Sequence, residues 1–389
     1  MKTPKLATRF YGALAVLLAL DAYVVFVPMC ASPWWLRVLF LIPSAIYICA
    51  VIRIFVFRRF SQQSFNQMLW LTLTVFFGVA IFDILSWIGL IGGLFWTPLS
   101  HIFNLIGLGV VTAWFVMAVY GALAGWKRLT TESVDLPFPD LPADFDGYKI
   151  VHLSDFHIGT YDTVPGIVDE IVERVNNLRP DLIVFTGDLV NRESSEIDPF
   201  VEKMSRLHAS DGVLSVLGNH DYCFYRPYKP PHTPAKECAR LVELQQRAGW
   251  RVLMNEAVTI RRGEESIAVV GVENAGSKGF LNRADLGKAL SQTEPGQFKI
   301  LLSHDPSHWR REVVPKSDVR LMLAGHTHGM QFKLGAFTPS KLLGYREWGG
   351  VYRLGRHTLV VSTGIGGNVA FRFGVYPQIL LLNLHCIHY

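Results

Sequence analysis

Two patterns of hydrophobic and polar residues divide the chain. Long apolar stretches with few charges fill its first third, and short apolar runs alternating with polar segments fill the rest. Four of the long stretches approach or exceed the ~20 residues that a helix needs to cross a bilayer. They span residues 10–29, 36–57, 68–95 and 99–126. We therefore predict a region of four transmembrane helices at residues 1–128. A cleavable signal peptide explains the first stretch poorly because further spans follow it. For all four stretches, the alternative to transmembrane helices is buried helices of a soluble domain.

The second pattern predicts an α/β domain at residues 149–389. The sequence YKIVHL predicts a strand that ends at Leu153, IVDEIVERVNNL predicts a helix, and DLIVF and GVLSV predict two more strands. Further strand-like runs follow in IAVVGVE, KILLSH, VRLMLA and TLVV. Between the two regions, Pro137, Pro139 and Pro142 stand among acidic residues. This composition predicts a solvated linker at residues 129–148.

Charge is concentrated in the apolar region. Residues 1–126 contain seven Lys or Arg and two Asp, which accounts for the whole net charge of +5. The remainder is neutral, so we expect no nucleic-acid binding. Outside the apolar stretches, basic residues lie before the first stretch, between the second and third, and after the fourth, which predicts cytoplasmic termini and a cytoplasmic C-terminal domain. They are Lys2, Lys5, Arg9, Arg58, Arg59, Lys127 and Arg128. Five scattered cysteines agree with a reducing compartment.

A few polar residues interrupt the apolar stretches. They are Asp21, Arg37, Asp83 and His101, one for each predicted span. Charges inside a bilayer are costly unless they are paired, so we expect these four side chains to contact one another within the bundle. Two interpretations stay open for them: a structural contact between helices, and a role in transport or ligand sensing.

Polar groups able to bind a metal follow five of the predicted strands. Strand ends meet at one edge of a layered α/β fold, so these groups are expected to lie together. Carboxylate, imidazole and amide oxygen, with no thiolate among them, are ligands of borderline-hard divalent ions. The set is too large for one transition metal and fits two metals that share a carboxylate. Its members are Asp155, His157, Asp188, Asn219, His304, His326 and His328.

The two last members stand in the sequence LAGHTHGMQ. If the chain stays extended through Thr327, His326 and His328 project to the same side. A polar turn after a strand is the alternative, since an isolated H-x-H is a weak signal.

The ordered set of motifs resembles the calcineurin-like metallophosphoesterase superfamily, and most of all its bacterial membrane-associated branch with N-terminal transmembrane helices. The motifs are D-F-H at 155–157, G-D at 187–188, G-N-H-D at 218–221, His304 and G-H-T-H at 325–328. The resemblance implies a four-layer α/β/β/α sandwich for residues 149–389. No motif in residues 1–128 matches the family, so the role of that region is not implied.

The resemblance also implies ligand roles. Asp155, His157 and His328 would hold a first divalent ion. Asn219, His304 and His326 would hold a second, and Asp188 would bridge the two. The ions would be Mn, Fe or Zn, and a hydroxide between them would be the nucleophile. His220 would stabilise the transition state or protonate the leaving oxygen, and Asp221 would hold His220 by a hydrogen bond.

The segment after G-N-H-D, YCFYRPYKPPHTPAK, is aromatic, basic and rich in proline. It is interpreted either as a wall of the substrate site, with Arg226 or Lys229 binding a phosphate, or as a solvated loop. The segments SKLLGYREWGG and AFRFGVYP are also aromatic and basic, and they fit a bilayer contact, a substrate contact or plain packing.

Together these observations predict a membrane-anchored, metal-dependent phosphoesterase. Its partners would be the lipid bilayer and a phosphorylated substrate, either a phosphomonoester or a phosphodiester, with a lipid-linked substrate as one option. The four predicted spans indicate a multi-pass protein, and the resemblance to the bacterial branch implies a bacterial inner membrane. Two alternatives stay open: a membrane sensor or transporter with a phosphoesterase output module, and a non-catalytic scaffold that binds phosphorylated ligands.

Overall fold

The computed structural model describes residues 3–30, 33–55, 68, 70–162, 164, 166–277 and 279–387. The chain divides into two compact units. The first is Met1–Ala124 with Val369–Phe371, and the second is Gly125–Asn368 with Arg372–Tyr389.

The first unit is built of helices, as its apolar composition predicts. Its long helices are α1 (Thr3–Phe26), α2 (Trp34–Phe55), α3 (Phe77–Gly93) and α4 (Pro98–Leu123), and a π-helical turn at Thr72–Phe76 precedes α3. Within the described residues, three segments are long and apolar enough to cross a membrane: Trp34–Arg53, Thr74–Gly93 and Pro98–Lys127.

The first predicted span differs from the other three. Its apolar helical part is the shorter segment Leu14–Phe26, which does not meet the length of a span within the described residues. Lys2, Arg58 and Arg59, on which the predicted orientation partly rests, lie outside the described residues. The apolar helices expose large hydrophobic side chains, Ile91 and Leu105 among them. Such exposure suits a lipid environment better than water.

Two buried carboxyl groups lie inside this helical unit. Asp21 accepts a hydrogen bond of 3.0 Å from the Ser44 hydroxyl. Asp83 is only 1% exposed, and Asp21 is close enough to act on it electrostatically. Of the four residues predicted to contact one another, these two acids are buried within the unit. His101 is instead exposed, and Arg37 donates to the backbone carbonyl of Cys30.

The second unit contains two six-stranded sheets. The first has the order β1-β12-β2-β3-β4-β5 and the second the order β10-β11-β9-β8-β7-β6. The strands of the first sheet are β1 (Thr130–Phe138), β2 (Tyr148–Leu153), β3 (Leu182–Phe185), β4 (Val213–Ser215), β5 (Trp250–Val252) and β12 (Gln378–Cys386). Those of the second are β6 (Glu256–Arg262), β7 (Glu265–Gly271), β8 (Phe298–Leu302), β9 (Leu321–Ala324), β10 (Gly350–Leu354) and β11 (His357–Val361).

A continuous hydrophobic core joins the two sheets face to face. Alternate residues of the strands point into it, such as Ile150 and Val184 from the first sheet and Val269 and Ile300 from the second. The opposite faces are also apolar. Leu286 and Trp309 pack on the outer side of the second sheet. Both faces of each sheet are therefore covered, as parallel strands require.

Helices of the second unit include the one predicted from IVDEIVERVNNL. It is α5 (Gly166–Asn177), and its buried residues Ile167, Ile171 and Val175 recur at helical spacing. The others are α6 (Val201–Met204), α7 (Pro234–Arg247), α8 (Leu286–Leu290), α9 (Val314–Lys316) and α10 (Pro339–Leu342). The mixed sheets and their helices confirm the predicted α/β fold class.

The structure differs from the predicted linker at residues 129–148. Strand β1 occupies much of this segment and pairs with β12 in parallel, from Thr130 opposite Gln378 to Phe138 opposite Cys386. The prolines that suggested a linker are compatible with this position because β1 is an edge strand. An edge strand tolerates Pro137, which lacks a donor, since one side of the strand has no partner in the sheet.

Candidate functional site

The predicted ligands lie in loops that leave neighbouring parallel strands. Asp155 and His157 follow β2, Asp188 follows β3, and Asn219 follows β4. In the second sheet, parallel strands β8 and β9 are followed by the remaining three histidines, His304, His326 and His328. The carboxyl ends of parallel strands meet at one edge of a sheet. The sequence therefore brings these side chains to one edge of the paired sheets.

One group of donors consists of Asp155, His157, Asp188 and His328, whose candidate ligand atoms all lie within 4.8 Å of one another. His328 Nε2 is 3.4 Å from Asp155 Oδ1, and His157 Nε2 is 3.6 Å from Asp188 Oδ2. The two Nε2 atoms of His157 and His328 are 3.1 Å apart. This is a spacing that several ligands around one cation would have.

A second group consists of Asp188, His304 and His326, again within 4.8 Å. His304 Nε2 lies 3.2 Å from Asp188 Oδ2 and 3.2 Å from His326 Nδ1. Asp188 thus belongs to both groups. Because a carboxylate has two oxygens, Asp188 could serve a cation in each group.

Hydrogen bonds on the far side of the imidazoles fix their tautomers. His304 Nδ1 lies 2.7 Å from the carbonyl of Thr186, and His328 Nδ1 lies 3.2 Å from the carbonyl of Gly366. A carbonyl only accepts, so each Nδ1 must carry a proton and each Nε2 faces the centre of the site. Orientation of this kind is typical of metal-binding histidines.

Asn219 provides a direct test of whether the donor set suits a metal. Its amide Nδ2 donates to the hydroxyl of Tyr225 at 2.9 Å. Its carbonyl Oδ1 is buried and has no hydrogen-bond partner among the described residues. A buried oxygen without a partner is costly, and a cation would satisfy it. The donors therefore fit one or more divalent ions with nitrogen and oxygen ligands.

The environment keeps most of the imidazoles neutral, as metal binding requires. Burial lowers the pKa of His157 to about 3 and that of His326 to about 4, and it lowers the pKa of His328 well below its ordinary value. His304 differs. Burial opposes its protonation, but the carboxylates of Asp188 and Asp155 outweigh burial and raise the pKa of His304 to about 10. A divalent cation would take the place of that proton.

The backbone at the site is strained. A positive φ is uncommon for residues other than glycine and costs about 1–3 kcal/mol each at such positions. Five of the seven predicted ligands adopt it: Asp155 (φ 52°), His157 (48°), Asp188 (58°), His326 (71°) and His328 (51°). Strain gathered in one set of loops is a feature of functional sites.

His326 and His328 reach the two donor groups by a turn. Strand β9 ends at Ala324, and Thr327 between the two histidines is helical, with φ −79° and ψ −24°. The expectation of an extended chain at Thr327 is therefore wrong. The turn separates the imidazoles, so that His326 faces His304 and His328 faces His157.

His220 lies beside the first donor group. Its ring is 4.9 Å from that of His157, and Tyr225 stacks on it with centroids 4.3 Å apart. His220 Nδ1 lies 2.6 Å from the carbonyl of Asn191, so Nδ1 carries a proton and Nε2 faces the site. The side-chain amide of Asn368 is 3.2 Å from this Nε2.

Asp221 does not form the expected hydrogen bond that would orient His220. The hydrogen bonds of its carboxylate go to backbone N–H groups: those of Asp188 and Gly218 on Oδ2, at 2.8 and 2.9 Å, and those of Leu189 and Val190 on Oδ1, at 2.8 and 3.3 Å. The orientation of His220 comes from the Asn191 carbonyl instead. Asp221 ties the Asp188 loop to the G-N-H-D turn.

The predicted phosphate contacts lie on the segment between β4 and α7. Arg226 is half-buried, forms an ion pair with Glu193, and lies over the ring of Tyr228 at 5.3 Å. Lys229 is exposed. Arg226 is thus paired with the carboxylate of Glu193, and Lys229 lies on the surface without that constraint.

Several residues around the site were missed by sequence reasoning. Tyr345 places its hydroxyl 3.0 Å from His326 Nε2, and Arg372, only 1% exposed, donates to the Gly366 carbonyl that orients His328. Tyr225 contacts both Asn219 and His220. The one available signal was the aromatic character of the segments that contain Tyr225 and Tyr345.

Comparison with known proteins places these residues in context. The family model for calcineurin-like phosphoesterases matches residues 148–330, which include all the predicted ligands. The chain is 30% identical over 254 residues to the uncharacterized metallophosphoesterase YkuE of Bacillus subtilis, covering 63% of this chain and 81% of that protein.

Two further relatives carry more specific names. A transmembrane protein with metallophosphoesterase domain from Danio rerio is 28% identical over 268 residues, covering 66% of this chain and 57% of the relative. The UDP-2,3-diacylglucosamine pyrophosphatase LpxG of Chlamydia trachomatis is 26% identical over 291 residues, covering 62% of this chain and 84% of the relative. The chain thus spans little more than half the length of the Danio rerio protein.

Proposed function

Because the chain belongs to the calcineurin-like metallophosphoesterases, a family of metal-dependent hydrolases, we propose that residues 149–389 form a catalytic domain that hydrolyses phosphomonoesters or phosphodiesters. Residues 1–128 form the membrane region of this proposal. The observation that carries it is the pair of donor groups that share Asp188.

Two divalent ions, Mn, Fe or Zn, fit this pair of groups. Asp155, His157 and His328 would hold the first ion, Asn219, His304 and His326 would hold the second, and Asp188 would be shared between them. The neutral imidazole of His157 and the orientation of His304 by the Thr186 carbonyl support the assignment. So does the buried Asn219 Oδ1, which has no hydrogen-bond partner among the described residues. When bound, such ions activate water as the nucleophile and offset the charge that grows on the phosphoryl oxygens.

His220 is the proposed proton donor to the leaving oxygen. Its Nδ1 is held by the Asn191 carbonyl at 2.6 Å, so a proton on Nε2 would point into the site. Tyr225 restrains the plane of the ring by stacking. General acid catalysis of this kind contributes typically about 10²–10⁴-fold to rate. Arg226 and Lys229 are the proposed phosphate contacts, with Lys229 preferred because Arg226 is already paired with Glu193.

We place the active site at the cytoplasmic face of a bacterial inner membrane, in a multi-pass protein. Three helices apolar enough to span a bilayer and the distribution of Lys and Arg support this location. A lipid-linked phosphoester is the substrate class that such an anchor would serve. A relative named for pyrophosphatase activity on a diacylated sugar nucleotide supports this choice.

Hydrolysis by the purified full chain in detergent tests the proposal. The rate of hydrolysis of an aryl phosphomonoester and of an aryl phosphodiester is measured with metal-stripped protein and again after Mn²⁺ is added. The Asp188→Asn variant is measured in the same way. Activity should return with metal in the wild type and stay absent in the variant. A folded protein that is inactive with every metal would refute the enzyme and favour a scaffold that binds phosphorylated ligands.

A second function, a membrane sensor or transporter with a phosphoesterase output module, is favoured by one observation. Asp83 is buried in an apolar helical unit, and neither of its carboxylate oxygens has a hydrogen-bond partner among the described residues. Asp21→Asn with Asp83→Asn tests this function. Unchanged hydrolysis and unchanged membrane insertion in the double variant would leave it without support.

A further inference from the structure

One loop of the second unit exposes large apolar side chains next to the candidate metal site. We call residues 330–346 the apolar–basic loop. Its aliphatic and aromatic side chains reach exposed fractions of 76% for Leu342, 54% for Leu343, 53% for Leu334 and 50% for Phe337. Single exposed apolar residues are ordinary, but several within one short loop mark a surface that contacts something other than water.

The same loop carries only positive charge. Lys333, Lys341 and Arg346 are exposed, and no Asp or Glu occurs from residue 330 to residue 346. Apolar side chains interspersed with Lys and Arg are the composition of segments that rest on anionic membranes. A surface of this charge complements an anionic lipid surface.

Internal contacts hold the loop in the exposed conformation. Leu334 and Phe337 exchange two backbone hydrogen bonds of 3.0 Å, which closes a turn between them. Thr338 donates to the Gly329 carbonyl at 3.0 Å and accepts from the Ser340 N–H at 3.4 Å, which caps the short helix α10. The backbone is therefore satisfied while the apolar side chains point outward.

Both ends of the loop adjoin the candidate metal site. The loop begins two residues after His328, and near its far end the Tyr345 hydroxyl lies 3.0 Å from His326 Nε2. Whatever surface covers the loop would lie beside the predicted ligands. A phosphorylated headgroup at that surface would then be within reach of the site.

We propose that the apolar–basic loop inserts its apolar side chains into the headgroup region of an anionic bilayer and holds the metal site at the membrane surface. This inference rests on the proposed membrane attachment, and it does not require hydrolysis. It assigns the loop a second membrane contact, distinct from the apolar helices of residues 1–128.

Photo-crosslinking in bilayers tests the inference on the full chain. A benzophenone side chain replaces Leu342, and in a matched control it replaces Leu354, which is 40% exposed on strand β10. Each protein is reconstituted into phosphatidylcholine nanodiscs with and without phosphatidylglycerol. Lipid adducts should form severalfold more at position 342 than at 354 and increase with phosphatidylglycerol.

Charge reversal sharpens the test. Lys333→Glu with Lys341→Glu should reduce the phosphatidylglycerol-dependent adducts by about tenfold, since each cation near an anionic surface contributes measurably to binding. Arg356→Glu, an exposed site outside the loop, should leave them unchanged. Equal adducts at positions 342 and 354 would overturn the inference, and so would adducts to a second copy of the chain in place of lipid.

A control for attachment separates this inference from the anchor itself. The same proteins are reconstituted into vesicles of the same lipids, crosslinked, washed at alkaline pH and floated. If the protein floats but yields no lipid adduct at position 342, the proposed loop contact is refuted and the membrane anchor is not. Protein that is lost from the vesicles overturns both the anchor and the loop contact.

Discussion

Replacing Asp221 by alanine tests how the catalytic loops are held together. The carboxylate is 1% exposed and accepts hydrogen bonds from four backbone N–H groups, those of Gly218, Asp188, Leu189 and Val190. Asp221→Ala leaves these donors in a space from which the acceptor has been removed. The two loops that carry Asp188 and Asn219 lose their common tie.

The expected cost follows from the number of donors. An unsatisfied buried donor costs about 1–3 kcal/mol. Water can enter part of the vacated space, so we take about 1 kcal/mol for each of the four donors, or roughly 4 kcal/mol. For a unit of this size, each 1 kcal/mol lowers Tm by about 2–4 °C, which predicts a decrease of about 8–16 °C. Asp221→Asn should lose roughly half as much, because its amide nitrogen cannot accept from two of the donors.

Thermal unfolding of the metal-stripped full chain in detergent measures this effect without a contribution from bound ions. Asp198→Ala is the control, because Asp198 is 43% exposed in its ion pair with Arg240 and should shift Tm little. If Asp221 acted by orienting His220, the variant would keep its Tm and lose only kcat. An unchanged Tm with reduced kcat would therefore refute the reasoning.

Three further predictions concern the site. His220→Ala should lower kcat by about 10²–10⁴-fold and leave the metal content unchanged, because the proposed role of the imidazole is to transfer a proton and not to bind an ion; metal analysis of the same sample checks this, and lost metal would contradict it. Tyr225→Phe removes the hydroxyl that holds the Asn219 amide and should weaken metal binding by about tenfold or more in a chelator competition; unchanged affinity would show that the hydroxyl is dispensable. Lys229→Ala should raise KM severalfold with kcat preserved, whereas Arg226→Ala should have the smaller effect because Glu193 occupies its side chain; the reverse order would reassign the phosphate contact.

Much of the site could be predicted because its ligands are side chains at strand ends. The runs before Asp155, Asp188 and His304 are short and apolar, so the pattern located both the strands and the residues that follow them. Since parallel strands end at the same edge, order along the chain was enough to predict proximity.

The supporting contacts could not be predicted for a physical reason. His220, His304 and His328 are oriented by the backbone carbonyls of Asn191, Thr186 and Gly366. Every residue has a carbonyl, so residue identity does not reveal which one accepts a given hydrogen bond. Asp221 was given the wrong contact for a similar reason, since its partners are backbone N–H groups.

Strand β1 shows the limit of composition as a guide. Three prolines suggested a solvated linker, yet residues 130–138 pair with β12, which follows about 250 residues later. Such pairing depends on a distant segment, and local propensity does not report it. An edge strand tolerates Pro137, so the presence of proline did not exclude a strand in this segment.

The most direct test of a two-metal phosphoesterase is a titration of Mn²⁺ into the metal-stripped full chain, with bound metal and hydrolysis of an aryl phosphodiester measured on the same samples. The proposed sharing of Asp188 by two ions predicts no hydrolysis without metal, two ions for each chain at saturation, and loss of both the second ion and activity in Asp188→Asn. Full activity with a single bound ion, or in the metal-stripped protein, would contradict the account.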